Sequence, residues 1–126
     1  MKFENWIDNI INKECPDEKI VAYYFGIFES GEKEYTLYLS GSTEFNEENS
    51  DWACNDDFEP KEKYLSLPQY HHFEWEDVLN EIVKILQEFI HTDVYKNSFL
   101  SQAKAIATGF DEGDLILITF VKRSVQ

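Results

Sequence analysis

The feature that most constrains the fold is a broad apolar stripe between residues 75 and 90. At helical spacing it carries eight apolar residues, which are Val78, Leu79, Ile82, Val83, Ile85, Leu86, Phe89 and Ile90. So many apolar positions favour a helix buried against a sheet over an isolated surface helix. Glu76 and Asp77 stand where a helix N-terminus stabilises negative charge. The stripe therefore predicts a buried helix over residues 75–90.

A second amphipathic helix and a hairpin are predicted before it. One helical face is formed by Phe3, Trp6, Ile7, Ile10 and Ile11. Because the residue before a proline disfavours helical geometry, Pro16 ends this helix, which is predicted over residues 3–14. Residues 20–28 are rich in β-branched and aromatic side chains, and residues 35–39 alternate, so both are predicted strands. The turn residues 30–33 join them into an antiparallel hairpin, whose first strand is expected to be central and covered by helices.

The remaining elements are shorter. Residues 64–67 are predicted to form a short strand, and residues 52–54 another. A helix is expected from Ser98 as N-cap to a stop at Gly109. After a turn at residues 111–114, the apolar run 115–121 is typical of a central strand.

This order of elements predicts one α+β domain over residues 1–126. Its sheet is expected to be mainly antiparallel, with about four or five strands packed with three helices.

Charge restricts the classes of partner. The chain has 11 Lys and Arg against 25 Asp and Glu, a formal net charge of -14. A polyanion does not neutralise phosphates, so binding to nucleic acid or to anionic membranes is not expected. Two uses remain for the charge, namely solubility alone or attraction to a basic protein partner.

The cytoplasm is the expected location. Residues 1–6 do not begin a basic region followed by an apolar core, and no apolar run approaches the roughly 20 residues that span a bilayer. Cys15 and Cys54 lie far apart in sequence, which suits reduced thiols in the cytosol. A single disulfide between them is the alternative.

The sequence predicts no catalytic site, cofactor or metal ion. The acids at 56, 57 and 59 and at 111, 112 and 114 lack the spacing of a calcium loop, and no phosphate-binding glycine pattern occurs. Neither cysteine has flanking residues that suggest activation. An enzyme or small-ligand domain stays open as an alternative, with a pocket against the sheet that uses His71, His72 and tyrosines.

Half of the net charge lies in residues 44–62, which we call the acidic segment. Its acids are Glu44, Glu47, Glu48, Asp51, Asp56, Asp57, Glu59 and Glu62, against the single base Lys61, which leaves a charge of -7. One interpretation is a solvated loop that Trp52 and Phe58 anchor to the core. The other is a protein-binding surface, in which acids steer a basic partner and an aromatic residue supplies a desolvated contact.

The second interpretation makes a prediction for each residue. Predicted contacts are Asp56, Asp57 and Glu59. A steering rim is formed by Glu47, Glu48 and Asp51, and Trp52 is a candidate anchor for the partner.

Two stretches carry a resemblance to a family. Residues 51–60 contain the pattern Trp-x-Cys-x-x-Asp-Phe, and residues 105–115 contain Gly-Phe-Asp-x-Gly-Asp, which is interpreted as a helix-to-strand junction. Both resemble segments of small bacterial proteins that are similar to immunity proteins of polymorphic toxin systems. The resemblance implies a non-enzymatic cytosolic protein that neutralises a toxin domain, often a basic nuclease, by direct binding. An assembly subunit that is acidic only for solubility is the remaining rival.

Overall fold

A computed structural model describes residues 3–121 of the chain. Its α-helices are α1 (Phe3–Lys13), α2 (Trp75–Phe89) and the short α3 (Asp93–Lys96). Its strands are β1 (Ala22–Gly31), β2 (Glu34–Ser42), β3 (Tyr64–Ser66), β4 (Ala105–Phe110) and β5 (Ile116–Phe120). Three 3-10 helices lie at Ser50–Cys54, Pro68–Tyr70 and Phe99–Gln102.

The five strands form one mixed sheet in the order β3-β2-β1-β4-β5. β1 lies in the middle, antiparallel to β2 and parallel to β4, and the two outer pairs are antiparallel. The predicted α+β class, the hairpin and the central position of β1 are therefore confirmed. The helix predicted over residues 75–90 and the helix predicted over residues 3–14 are also present, each ending one residue earlier.

The main core lies between the sheet and α1 and α2. Its buried helix residues are Phe3, Trp6, Ile7, Ile10, Val78, Ile82, Leu86 and Phe89. Because successive strand residues face opposite sides, alternate residues of β1 such as Phe25 and Ile27 point into this core. Phe3 packs against the rings of Phe25 and Phe89, with centroids 6.2 and 5.4 Å away. This contact joins α1 to both the sheet and α2.

A smaller cluster lies on the other face of the sheet. Its buried members are Ala22, Tyr24, Trp52, Ala105 and Ala107. Three of these residues are alanines, whose short side chains leave space above the sheet for the large ring of Trp52. This second face is covered by the 3-10 helix Ser50–Cys54 of the acidic segment and by no α-helix among residues 3–121, so the expectation that helices cover β1 holds for one face of the strand only.

The prediction of a helix from Ser98 to Gly109 is wrong. The chain forms the 3-10 helix Phe99–Gln102 and then β4. Alanine favours helices, yet Ala105 and Ala107 lie in a strand because pairing with β1 satisfies the backbone and only small side chains fit under Trp52. The Gly-Phe-Asp-x-Gly-Asp stretch therefore joins two strands of an antiparallel pair.

Two further expectations are corrected. The apolar run 115–121 is typical of a central strand, but β5 is an edge strand of the sheet, and all of its residues are half-buried. Its apolar residues pack on both faces of the sheet, since Leu117 contacts the Trp52 cluster and Ile118 contacts the main core. Residues 52–54 belong to a 3-10 helix and not to a strand. The short strand at 64–67 and the turn at 111–114 are confirmed.

Both cysteines are free thiols, and both are exposed. Within residues 3–121, no helix has the length and apolar character needed to cross a membrane.

Candidate functional site

The acidic segment follows an irregular path that its own side chains hold in place. The Asn46 side chain accepts a hydrogen bond from the Glu48 backbone N–H at 2.8 Å, and Asn49 accepts one from Asp51 N–H at 2.9 Å. Asn49 thereby caps the 3-10 helix Ser50–Cys54. Side-chain acceptors of this kind satisfy N–H groups that no ladder pairs. The acids thus project from a backbone with a defined conformation.

Trp52 fixes this backbone to the sheet. Its side chain is buried, with 3% of its surface exposed. Its ring packs edge-on against Phe45 at 5.5 Å between centroids, and its indole N–H has no hydrogen-bond partner among residues 3–121. Of the two roles that the sequence left open, Trp52 fills the structural one. It offers a partner no accessible anchor in this conformation.

The three acids predicted as the main contacts have internal partners. Asp57 accepts hydrogen bonds from the backbone N–H of Thr43 at 2.9 Å and from its hydroxyl at 3.0 Å. Asp56 and Glu59 both pair with Lys63, and the Lys63–Asp56 distance is 3.8 Å. Replacing these acids would break bonds within the chain, which the sequence did not reveal.

The predicted steering rim is different. Glu47, Glu48 and Asp51 are all exposed, and their carboxylates have neither an ion pair nor a hydrogen bond within the described part of the chain. They lie within five residues of one another, immediately before Trp52. These three acids are therefore the part of the acidic segment whose charge is available to a partner.

Beside the acidic segment, the same sheet face contains an open recess of about 240 Å³, which we call the aromatic recess. It is lined by Phe28, Tyr38, Ala53, Cys54, Asp56, Lys63, Tyr64 and Asp111. The Tyr38 ring lies 6.1 Å from Phe28 and 6.2 Å from Tyr64, between centroids. Tyr64 is 59% exposed, so its ring is open to solvent at the border of this recess.

A glycine allows Tyr38 to lie across the sheet. Gly26 of β1 stands opposite Tyr38 of β2, and a Cβ atom built on Gly26 would lie closer than 3.0 Å to three atoms of the Tyr38 side chain. The tyrosine therefore occupies the space that any larger residue would fill. From this position its hydroxyl donates a hydrogen bond of 2.5 Å to the Asp111 carboxylate.

The aromatic recess already holds one cation of the chain. The Lys63 ammonium lies 5.3 Å from the Tyr38 ring centroid and 5.5 Å from that of Tyr64, within the range of a cation–π interaction. Partial burial lowers the pKa of Lys63, but its hydrogen bond to Glu59 and the charge of Asp56 outweigh this and raise the pKa above its usual value. Lys63 is therefore positively charged at neutral pH.

Tyr38 and Tyr24, on this face, are protonated at neutral pH because the pKa of each is raised. Burial, the hydrogen bond to Asp111 and the charge of that carboxylate raise the pKa of Tyr38 well above its usual value. Burial, followed by the charge of Asp111, does the same for the pKa of Tyr24, whose hydroxyl donates to the Gly109 carbonyl at 2.9 Å. Both act as hydrogen-bond donors and not as bases.

The histidines expected for a ligand pocket lie elsewhere. His71 lines a second open recess of about 260 Å³ with Ser30, Glu34, Tyr35, Ser66, Leu67 and Pro68. The ring of His72 stacks on His71 at 3.8 Å and does not line this recess. Among residues 3–121, no three His, Cys, Asp or Glu residues are arranged to hold a metal ion.

Sequence reasoning identified the acidic segment but missed the aromatic recess. Its aromatic residues come from three strands, and Asp111 follows β4 far along the chain. The available signal was the second face of the hairpin, where Phe28 and Tyr38 are large residues at positions that point away from the helices. Comparisons with known protein families, with curated proteins and with solved structures found no match.

Proposed function

We propose that this chain is a non-enzymatic binding protein that recognises a basic protein partner through Glu47, Glu48 and Asp51. In its specific form, the proposal is that the partner is a bacterial toxin domain, which the chain neutralises in the cytoplasm. The observation that carries the proposal is the position of these three acids, exposed and without internal ion pairs among residues 3–121, on a segment that Trp52 holds against the sheet.

An ordered acidic surface suits protein recognition for an energetic reason. Binding by a disordered loop loses part of its free energy to ordering the loop, whereas a held backbone avoids that loss. The capped 3-10 helix and the buried Trp52 supply this order before the partner arrives. The remaining acids of the segment, including Asp56, Asp57 and Glu59, add to the negative field around it.

Net charge supports the choice of a basic partner. A protein with a charge of -14 attracts cationic surfaces over a distance and accelerates their encounter. Such steering is screened within about 8–10 Å at physiological ionic strength, so association is expected to slow as salt rises.

The resemblance to immunity proteins supports the choice of a toxin. Nuclease toxins bind nucleic acid phosphates with basic surfaces, and an acidic protein that covers such a surface competes with the substrate. Inhibition of this kind needs only shape and charge complementarity, and no catalytic residue.

The test compares two charge-reversed variants with equal charge change. The first is Glu47→Lys, Glu48→Lys, Asp51→Lys. The control is Glu18→Lys, Glu81→Lys, Glu88→Lys, three exposed acids outside the acidic segment. Each is titrated against the cognate toxin domain that the proposal requires, and growth is measured on co-expression of the two.

We expect the first variant to lose at least about 100-fold in affinity, roughly 3 kcal/mol, together with protection of growth. The control should lose far less, because it changes only the overall field. Equal losses in the two variants would show that net charge alone matters, and unchanged affinity in the first would reject this surface.

A further inference from the structure

We propose that the aromatic recess binds an arginine side chain of the protein partner. This inference rests on the proposed function, which it deepens by naming the group that the partner inserts. It concerns different residues from the three exposed acids, so the two proposals are tested separately.

The walls of the aromatic recess suit a cation. Tyr38, Tyr64 and Phe28 line one opening, where the Tyr64 ring is largely exposed, and electron-rich ring faces attract cations within about 6 Å. The Lys63 ammonium lies within this range, 5.3 and 5.5 Å from two of the ring centroids. The recess thus already binds the charged end of a long basic side chain from its own protein.

The charges around the aromatic recess are not balanced by Lys63. Asp56 and Asp111 line the recess, and Glu59 contacts Lys63 from outside it. Among residues 3–121, these three carboxylates against one ammonium leave a net charge of about -2 beside the aromatic rings. One more cation from a partner would reduce this imbalance.

Arginine fits the arrangement better than lysine. A guanidinium is planar, so it stacks on an exposed ring such as Tyr64 while its edge donates hydrogen bonds to carboxylates. Tyr38 donates to Oδ1 of Asp111, so the second carboxylate oxygen remains as an acceptor. An ammonium makes neither the stacking nor the forked contact.

An anion is the alternative occupant, since Lys63 also lines the aromatic recess. The surrounding carboxylates oppose it, and Lys63 already pairs with Asp56 and Glu59. The two occupants respond in opposite ways to removal of Lys63. If the occupant is arginine, loss of the lysine removes a competitor. If it is an anion, the same change removes the one cation that lines the recess among residues 3–121.

The experiment measures protection of Cys54, which lines the aromatic recess, against alkylation by iodoacetamide. Cys15 is also exposed and lies outside the recess, so it is an internal control in the same molecule. The probe is N-acetylarginine amide, and its uncharged isostere N-acetylcitrulline amide is the matched control. The two modification rates are measured by mass spectrometry.

We expect a dissociation constant on the order of 10 mM for this fragment, so that about 50 mM probe slows the reaction of Cys54 several-fold. The rate at Cys15 should stay the same, and the citrulline compound should protect neither cysteine. Equal protection by both compounds, or slowing at both cysteines, would overturn the proposal.

Three variants extend the test. Tyr64→Leu removes a largely exposed ring of the aromatic recess and should abolish protection by arginine, whereas Phe73→Leu removes an exposed ring elsewhere and should preserve it. Lys63→Gln should strengthen protection. Weaker protection in Lys63→Gln, together with protection of the wild type by inorganic phosphate, would identify an anion site and reject arginine.

Failure of this proposal is distinguishable from failure of the proposed function. If the toxin domain binds and Tyr64→Leu leaves its affinity unchanged, the recess does not receive the partner although the acidic surface stands. If no basic partner binds while Cys54 is protected by arginine, the recess is a cation site and the protein-binding function is rejected.

Discussion

The contact between Gly26 and Tyr38 leads to a quantitative prediction. In Gly26→Ala, the new methyl group would overlap with the Tyr38 ring, whose atoms would lie closer than 3.0 Å. The backbone at Gly26 does not have a positive φ, so alanine is disfavoured here by the ring and not by conformational strain. Tyr38 is half-buried and therefore has room to turn outward, at the expense of its contacts with the sheet.

The expected loss of stability follows from those contacts. Turning Tyr38 outward breaks its hydrogen bond to the Asp111 carboxylate, and a bond to a charged group contributes about 1.5–3 kcal/mol. Replacing glycine in a strand restricts the unfolded chain and offsets about 0.5–1 kcal/mol of that loss. We therefore expect Gly26→Ala to lower the free energy of unfolding by about 1.5 kcal/mol.

A double-mutant cycle isolates the cause. In a Tyr38→Ala background the ring is absent, so Gly26→Ala should be neutral or should stabilise the protein by about 0.5 kcal/mol. Urea unfolding of the four proteins, followed by far-UV circular dichroism, gives the coupling energy, which should reach about 2 kcal/mol. The same destabilisation by Gly26→Ala in both backgrounds would refute the reasoning, because the ring would then not be responsible.

Two further predictions concern buried aromatic residues. Tyr23 and Tyr24 are 2% and 6% exposed, and burial raises the pKa of both above the usual 10.0. Above pH 10 the unfolded chain therefore loses these protons before the folded chain does, and stability should fall by up to about 1.4 kcal/mol per pH unit for each tyrosine. Urea midpoints at about pH 8 and about pH 11 measure this fall, which should shrink in Tyr24→Phe; a constant midpoint would contradict the assignment. Trp6 donates a hydrogen bond of 2.7 Å through its indole N–H, whereas Trp52 has no such partner among residues 3–121. Trp6→Phe should therefore destabilise the fold by about 1 kcal/mol more than Trp52→Phe in urea unfolding, and the opposite order would show that packing dominates both.

The elements that the sequence predicts well are those whose side chains have one dominant environment. α1 and α2 each bury a single helical stripe, so periodicity alone places them. β1 is recognisable because its β-branched and aromatic residues suit a strand whichever face is covered.

The elements that sequence reasoning misplaced depend on contacts between distant parts of the chain. Ala105 and Ala107 are helix formers by intrinsic preference, and only the pairing with β1 and the ring of Trp52 explain why they form a strand. β5 is apolar because its side chains pack on both faces of the sheet. A central strand shows the same apolar pattern, so the sequence does not distinguish the two positions.

The candidate site likewise contains features that the sequence predicts and features that it does not. The concentration of acids in residues 44–62 is visible in the sequence, but the internal partners of Asp57 and Glu59 are not. The aromatic recess needs Tyr38, Tyr64 and Asp111 to meet, and they come from β2, β3 and the loop after β4. No local pattern contains that information.

The parallel pairing of β1 with β4 also affects how the chain reaches its native state. The hydrogen bond from Thr108 to Phe25 joins residues that are 83 positions apart, whereas the β1–β2 and β4–β5 hairpins are local. Contacts of such separation form after a large loop closes, which slows folding relative to proteins built from local contacts. Until that step, one edge of β1, whose first six residues are buried in the native sheet, has no partner. An unpaired edge of this kind is where a folding intermediate aggregates, so the concentration of the chain during refolding should matter more than its final stability.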